Sequence, residues 1–236
     1  MRPLAILVTG DPVPPAREAR GTFADMIRAA VGDAWSGPWL EVDCRSGEPL
    51  PDPSAVAMLV PTGSSASVTE RADWILETEG YLRRAVAAGT PIFGICFGHQ
   101  LLGQALGGLV ETNPRGRQIG TVEASWSERA PLLDDGTRPF LVNTTHRDVV
   151  TKLPPGATVL ASTPKDPNAV IRFAPNVVGV QFHPEFDRVT VSAYIESRRE
   201  ILEGEGFDVE ALLGGTNDAK CAANGFARFV REHARR

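Results

Sequence analysis

The sequence predicts an α/β fold, with an open, mostly parallel central sheet flanked by helices, a small antiparallel section and a C-terminal helical extension. Three observations carry this expectation. Short, nearly all-apolar runs such as Ala55 to Val60 read as strands covered on both faces. These runs alternate with segments whose apolar residues recur at helical spacing, the order expected of parallel βα units. After Gly107-Gly108 the texture changes to shorter strands and Pro/Gly turns, through about residue 183.

Leu4 to Thr9 reads as the first strand and is followed by a Pro-rich loop. Phe23, Met26, Ile27, Ala30 and Val31 then fall on one stripe of an amphipathic helix. Trp39 to Asp43 and Ala55 to Val60 are the next strands. A helix from Arg71 to Ala88, built on Ile75, Leu82 and Val86, stops at Gly89. Pro91 to Ile95 forms a strand, and Gly98 to Leu106 a helix that ends at the glycine pair. Beyond Phe186 the pattern is helical, with Val191, Ile195, Ile201 and Leu202 in one segment and Phe226, Phe229 and Val230 in another, separated by Gly214-Gly215. With no internal repeat and no long linker, residues 1–236 are expected to form one domain, a catalytic core over 1–185 and a helical extension over 186–236.

Composition narrows the function classes. The chain has 236 residues, 42% of them apolar, enough for a sizeable core. Its 24 basic and 29 acidic residues give a net charge of −5, which offers no electrostatic reason to bind nucleic acid or an anionic membrane. The apolar run Leu4 to Val8 is too short for a signal-peptide core or a membrane span. Three cysteines, none in a CxxC or a zinc-type Cys/His set, fit a reducing cytoplasm and call for no metal and no cofactor.

The stretch GICFGHQLLG, residues 94 to 103, places Cys96 between Gly94 and Gly98 at a strand-to-helix turn. This is the G-x-nucleophile-x-G form of a nucleophile elbow, in which the glycines permit close strand–helix approach. The positive end of the following helix favours the thiolate over the thiol. A cysteine nucleophile needs a base, and the four histidines are His99, His146, His183 and His233. In VVGVQFHPEF, Val178, Val180 and Phe182 alternate with Gly179, Gln181, His183 and Glu185, so an extended strand would point His183 and Glu185 the same way. Cys96, His183 and Glu185 then supply nucleophile, base and orienting carboxylate. His99 is expected to pack or cap, His233 to lie on the surface, and Cys44 and Cys221 to pack.

PIFGICFGHQLLGQALGG and VVGVQFHPEF resemble the two signature segments of class I, or triad, glutamine amidotransferases, and in particular the stand-alone GMP-synthase-like members. The resemblance implies a flavodoxin-like sheet and a Cys-His-Glu triad that hydrolyses the side-chain amide of L-glutamine through a γ-glutamyl thioester, releasing glutamate and ammonia. It also implies an oxyanion hole made by Phe97 and the Gly63-Ser64 region. There PTGSSASV departs from the family's Gly-Gly-Pro run, with Ser64 at the second glycine position. Gln100 matches a position that helps recognise glutamine. Thr145, His146 and Asp148 match a Ser-His-x-Asp segment beside the same pocket, with Thr145 in place of serine.

Three functions are compatible with this pattern. The first is a glutamine amidotransferase or glutaminase, whose ammonia acceptor would be a separate synthetase subunit, because the chain carries no Walker A sequence. The second keeps the triad but cleaves a γ-glutamyl peptide at its isopeptide bond, which needs an open groove beside the leaving nitrogen. The third is a non-catalytic binding module on the same scaffold.

Overall fold

The computed structural model describes residues 1–127, 130 and 132–234. In chain order the first elements are β1 (Leu4–Val8), α1 (Pro14–Arg20), α2 (Phe23–Val31), β2 (Trp39–Asp43), β3 (Met58–Pro61), α3 (Asp73–Ala87), β4 (Ile92–Ile95) and α4 (Phe97–Ala105). Then come β5 (Leu109–Thr112), β6 (Gln118–Glu123), β7 (Ser125–Trp126), β8 (Leu141–His146), β9 (Asp148–Lys152), β10 (Thr158–Ser162), β11 (Val170–Ala174) and β12 (Val177–Val180). The extension holds α5 (Arg188–Glu196), α6 (Arg199–Gly204), α7 (Val209–Gly214) and α8 (Lys220–His233).

Eight strands form the central sheet in the order β2-β1-β3-β4-β12-β11-β10-β7. The pairings from β2 through β12 are parallel, and those from β12 through β7 are antiparallel. The fold is therefore the mostly parallel α/β sheet expected, with the antiparallel strands appended at one edge. Two further two-stranded ladders, β5-β9 and β6-β8, stand outside it.

Strand alternation sorts the apolar residues into two cores. On β1, Leu4 and Ile6 face a cluster with α2 and α8, while Ala5 and Leu7 face one with α3 and α4. The last helix is part of that first core: Phe226 and Phe229 pack on Phe93 of β4 at ring-centroid separations of 4.5 and 5.3 Å. A smaller cluster joins Ile119 of β6 to Val191, Ile195 and Leu202 of the extension.

Two expectations need correction. The Pro-rich loop after β1 contains a helix, α1, whose first turn takes Pro14 and Pro15, positions where a missing N–H costs little. The single helical segment from Val191 to Leu202 is two helices, broken at Ser197-Arg198, and Ile201 is exposed. The break at Gly214-Gly215 is present, at the end of α7.

The shared core predicts a measurable dependence on the extension. Phe226→Ala removes a fully buried ring and is expected to lower unfolding free energy by about 3–5 kcal/mol in a urea titration. A loss below about 1 kcal/mol would mean that α8 does not support the sheet.

Candidate active site

β4 ends at Ile95 and α4 begins at Phe97, so Cys96 makes the whole turn alone, at φ 51° and ψ −99°. A residue with a Cβ is strained at this positive φ and stays there only because its surroundings fix it. The Cys96 N–H donates to Val180 O at 2.8 Å, and its carbonyl accepts from Gln100 N at 3.1 Å. Cys96 thus stands at the C-terminal end of a central strand and at the N-cap of α4, where ligands of open α/β sheets bind. The other thiols are differently placed: burial pushes Cys44 up to about 11 and also raises Cys221.

His183 and Glu185 meet this sulfur, but not from a strand. β12 stops at Val180, and the residues after it form a turn held from β8. The His183 N–H donates to Asn143 O at 2.8 Å, while the Asn143 side-chain amide donates to Phe186 O at 2.8 Å and Asn217 O at 3.0 Å. The strand-face reading of VVGVQFHPEF was therefore wrong in conformation, because Pro184 and the β8 anchor bend the chain. The convergence it predicted is present. His183 Nδ1–H donates to Glu185 Oε1 at 2.8 Å, and the imidazole borders the same space as Cys96, whose sulfur acts on it electrostatically.

The ring is locked from the side by Phe186, stacked at 3.9 Å and 15°. Burial opposes a charge on this imidazole, but the Glu185 carboxylate and the Cys96 sulfur favour it more strongly and push His183 up to about 10. The imidazole is thereby held as a proton donor through neutral pH.

Opposite the sulfur lies the loop after β3. Ser64 is not among the positive-φ residues, so a serine at the second glycine position carries no backbone strain. Gly63 is needed for space, since a Cβ there would lie 2.8 Å from His183 Cε1. Among the described residues, the backbone N–H groups of Gly63, Ser64 and Phe97 donate to no protein acceptor. The Phe97 N–H is one of the orphan donors of the first turn of α4. The loop is tied down by Asp148, whose carboxylate accepts from Ser67 Oγ at 2.5 Å and Thr112 Oγ1 at 3.1 Å.

These groups border a cavity of about 450 Å³ lined in part by Ser64, Cys96, Phe97, Gln100, Thr145 and His146. All the residues expected at the site are brought together. Gln100 Nε2 donates to Asp148 O at 2.8 Å and Gln181 Oε1 at 3.1 Å, which leaves its Oε1 for a ligand. His146 Nδ1–H donates to Asp148 O at 3.2 Å, while Nε2 is buried without a partner among the described residues. Burial pulls His146 down to about 4, so that nitrogen presents a lone pair. His99 is fully buried against Phe173 as a packing residue, and His233 is half-buried against Phe229 rather than on the open surface.

Two site residues escaped sequence reasoning. Gln181, in the same polar set as His183, donates from Nε2 to Cys96 Sγ at 3.5 Å and links it to Gln100. Its place in that set was the available signal. Arg198 reaches the cavity from the break between α5 and α6, and nothing local to its sequence marks it.

A class of protein is defined by a mostly parallel α/β sheet with a cysteine at a strained strand-to-helix turn, facing a His-Glu pair. The chain belongs to the class-I glutamine amidotransferase family, whose model matches residues 63–197. It is similar to "Glutamine amidotransferase-like protein chry6" of Gibberella zeae, 28% identical over 196 residues that cover 79% of this chain and 76% of that protein. A GMP synthase [glutamine-hydrolyzing] of Aeropyrum pernix is 35% identical over 165 residues, covering 70% of this chain but 28% of that protein. The solved structure of a glutamine amidotransferase from Thermotoga maritima has the same fold, with a TM-score of 0.75 and 22% identity over 99% of both chains. Among the described residues no helix is long and apolar enough to cross a membrane.

The electrostatics set a pH dependence. The proton on His183 is retained below its raised value and lost as pH rises through about 10, so kcat/KM is expected to fall on that alkaline side. Glu185→Gln removes a charge that favours the imidazolium and is expected to move this fall to lower pH in a pH–rate profile. An alkaline limb that stays in place would show that Glu185 does not hold the proton.

Proposed function

We propose that the protein is a glutaminase-type amidotransferase in which the Cys96 sulfur attacks the γ-carboxamide of L-glutamine. The N–H groups of Phe97 and the Gly63-Ser64 loop receive the developing oxyanion, a donor of this kind being worth about 2.7–4 kcal/mol in the transition state. His183 passes its proton to the departing nitrogen, ammonia leaves, and the γ-glutamyl thioester remains on Cys96. His183 then takes a proton from water, which attacks the thioester and releases glutamate. Glu185 orients the imidazole throughout. Gln100, Thr145 and His146 line the glutamyl side of the cavity and bind substrate.

The observation that carries this reading is Cys96 at a strained strand-to-helix turn beside the His183–Glu185 pair, at the edge of a cavity of small-molecule size. The side bounded by Gln100 and His146 offers about 450 Å³, within the usual range of about 300–1,000 Å³ for small-molecule sites. The side bounded by His183, Phe23 and Tyr194 holds about 40 Å³. The two spaces share Ser64, Cys96, Thr145 and Arg198 in their linings. Membership of the glutamine amidotransferase family favours glutamine over a γ-glutamyl isopeptide. Ammonia would pass to a separate acceptor protein, and the setting is the cytoplasm, where the three free thiols persist.

Glutamate release from L-glutamine, measured beside a γ-glutamyl peptide and beside Cys96→Ala, tests the proposal. Turnover of glutamine that is abolished in Cys96→Ala is expected. Turnover of the peptide but not of glutamine would transfer the same triad to isopeptide hydrolysis. Turnover of neither, with ammonia-accepting partners supplied, would leave a binding module.

A further inference from the structure

Arg198 stands where the helical pattern of the extension breaks, at φ −120° and ψ 13° between α5 and α6. This break turns its guanidinium inward. Nη1 donates to Thr145 Oγ1, and the guanidinium lies over the Tyr194 ring at 5.0 Å. The side chain borders both the large cavity and the small space beside His183, together with Cys96 and Thr145.

What distinguishes this cation is its lack of a counter-charge. Arg117, which also lines the cavity, forms a two-point ion pair with Glu205 at 2.9 and 3.1 Å, and Arg147 is exposed to solvent. Arg198 is half-buried and pairs with no carboxylate among the described residues. Burial lowers its pKa, the electrostatic sign of an incompletely compensated charge. Such a group is costly to leave unpaired, and a planar guanidinium with one donor committed to Thr145 retains others suited to a carboxylate. The two other negative centres of the reaction are already served, the sulfur by His183 and the oxyanion by the opposite loop.

We infer that Arg198 anchors the α-carboxylate of the substrate, so that the site selects γ-amides carrying a free α-carboxylate over the same amides without one. The assignment rests on the glutaminase reading for the identity of the reacting amide. Three carbons separate the γ-carbonyl of glutamine from its α-carboxylate, a span that keeps both groups inside the cavity shared by Cys96 and Arg198. The residue lies just beyond the stretch matched by the family model, in the helical extension. The extension therefore supplies specificity as well as core packing.

Hydrolysis of L-glutamine and of its α-carboxamide is compared in wild type, Arg198→Met and Arg198→Lys. Arg198→Met is expected to raise KM for glutamine by roughly 10- to 100-fold, with a smaller change in kcat and little change for the α-carboxamide. Arg198→Lys should recover part of the loss. An equal KM rise for both substrates, or none for glutamine, would overturn the proposal.

A second readout is independent of turnover: protection of Cys96 from iodoacetamide by L-glutamate against protection by 4-aminobutyrate, which lacks the α-carboxylate. Stronger protection by glutamate in wild type, lost in Arg198→Met, supports the anchor even if glutamine is not hydrolysed, in which case only the reaction reading fails. Equal protection by the two compounds, or protection by neither, would overturn it. So would slower alkylation of unliganded Arg198→Met with ligand selectivity unchanged, since that result would assign Arg198 to the thiolate.

Discussion

The site depends on how closely α4 can approach the ends of β3 and β4. A Cβ on Gly98 would lie 2.3 Å from Pro61 O, and one on Gly94 would lie 2.7 Å from Gly98 O. Real Cβ atoms do not come so near backbone, so only glycine allows the helix to sit down on the sheet at both levels. That contact leaves one residue to complete the reversal, and Cys96 takes the strained φ. The Gly98 N–H bond to Thr62 O, at 3.0 Å, fixes the same helix to the start of the loop that faces the sulfur. Backbone packing thus aligns the Cys96 sulfur with the N–H groups opposite it before any polar side chain contributes.

The sequence made the central elements legible because their signals are local. GICFGHQLLG contains both glycines, the cysteine of the turn and the helix that follows, and the apolar alternation of β1 and β12 marks both faces of the sheet. VVGVQFHPEF pointed to the residues that lie beside Cys96, through an incomplete geometry. Its alternation holds only to Val180, after which Asn143 on another strand dictates the path. A pattern within ten residues cannot encode an anchor some forty positions away. The same limit hid Arg198: its residue type is ordinary on a helix, and its meaning comes from the interruption after Ser197 and from Thr145 across the cavity. α1 was missed for a different reason, since prolines that end a helix elsewhere are compatible with its first turn.

The Ser-rich loop accommodates its departure from the expected glycines without backbone strain at Ser64. The two glycines of the expected pattern have separate demands, and here only one is steric. Gly63 makes room for the imidazole, whereas Ser64 takes an ordinary backbone conformation and uses its hydroxyl to accept from Ala66 N at 3.1 Å. The serine replaces flexibility with a local hydrogen-bonded turn.

Asp148 connects that loop to the opposite wall of the cavity. Its carboxylate receives Ser67 and Thr112, and its carbonyl receives Gln100 and His146, so one residue holds donors from four segments of the chain. This arrangement restricts how the loop can diverge over evolutionary time. Gly63 is pinned by the imidazole and Ser67 by Asp148, so the number of residues between them cannot change without shifting one fixed point. Between the two pins the Ser64 hydroxyl holds Ala66 N and Ala66 packs on the core, so the backbone there is bound to one length and one path.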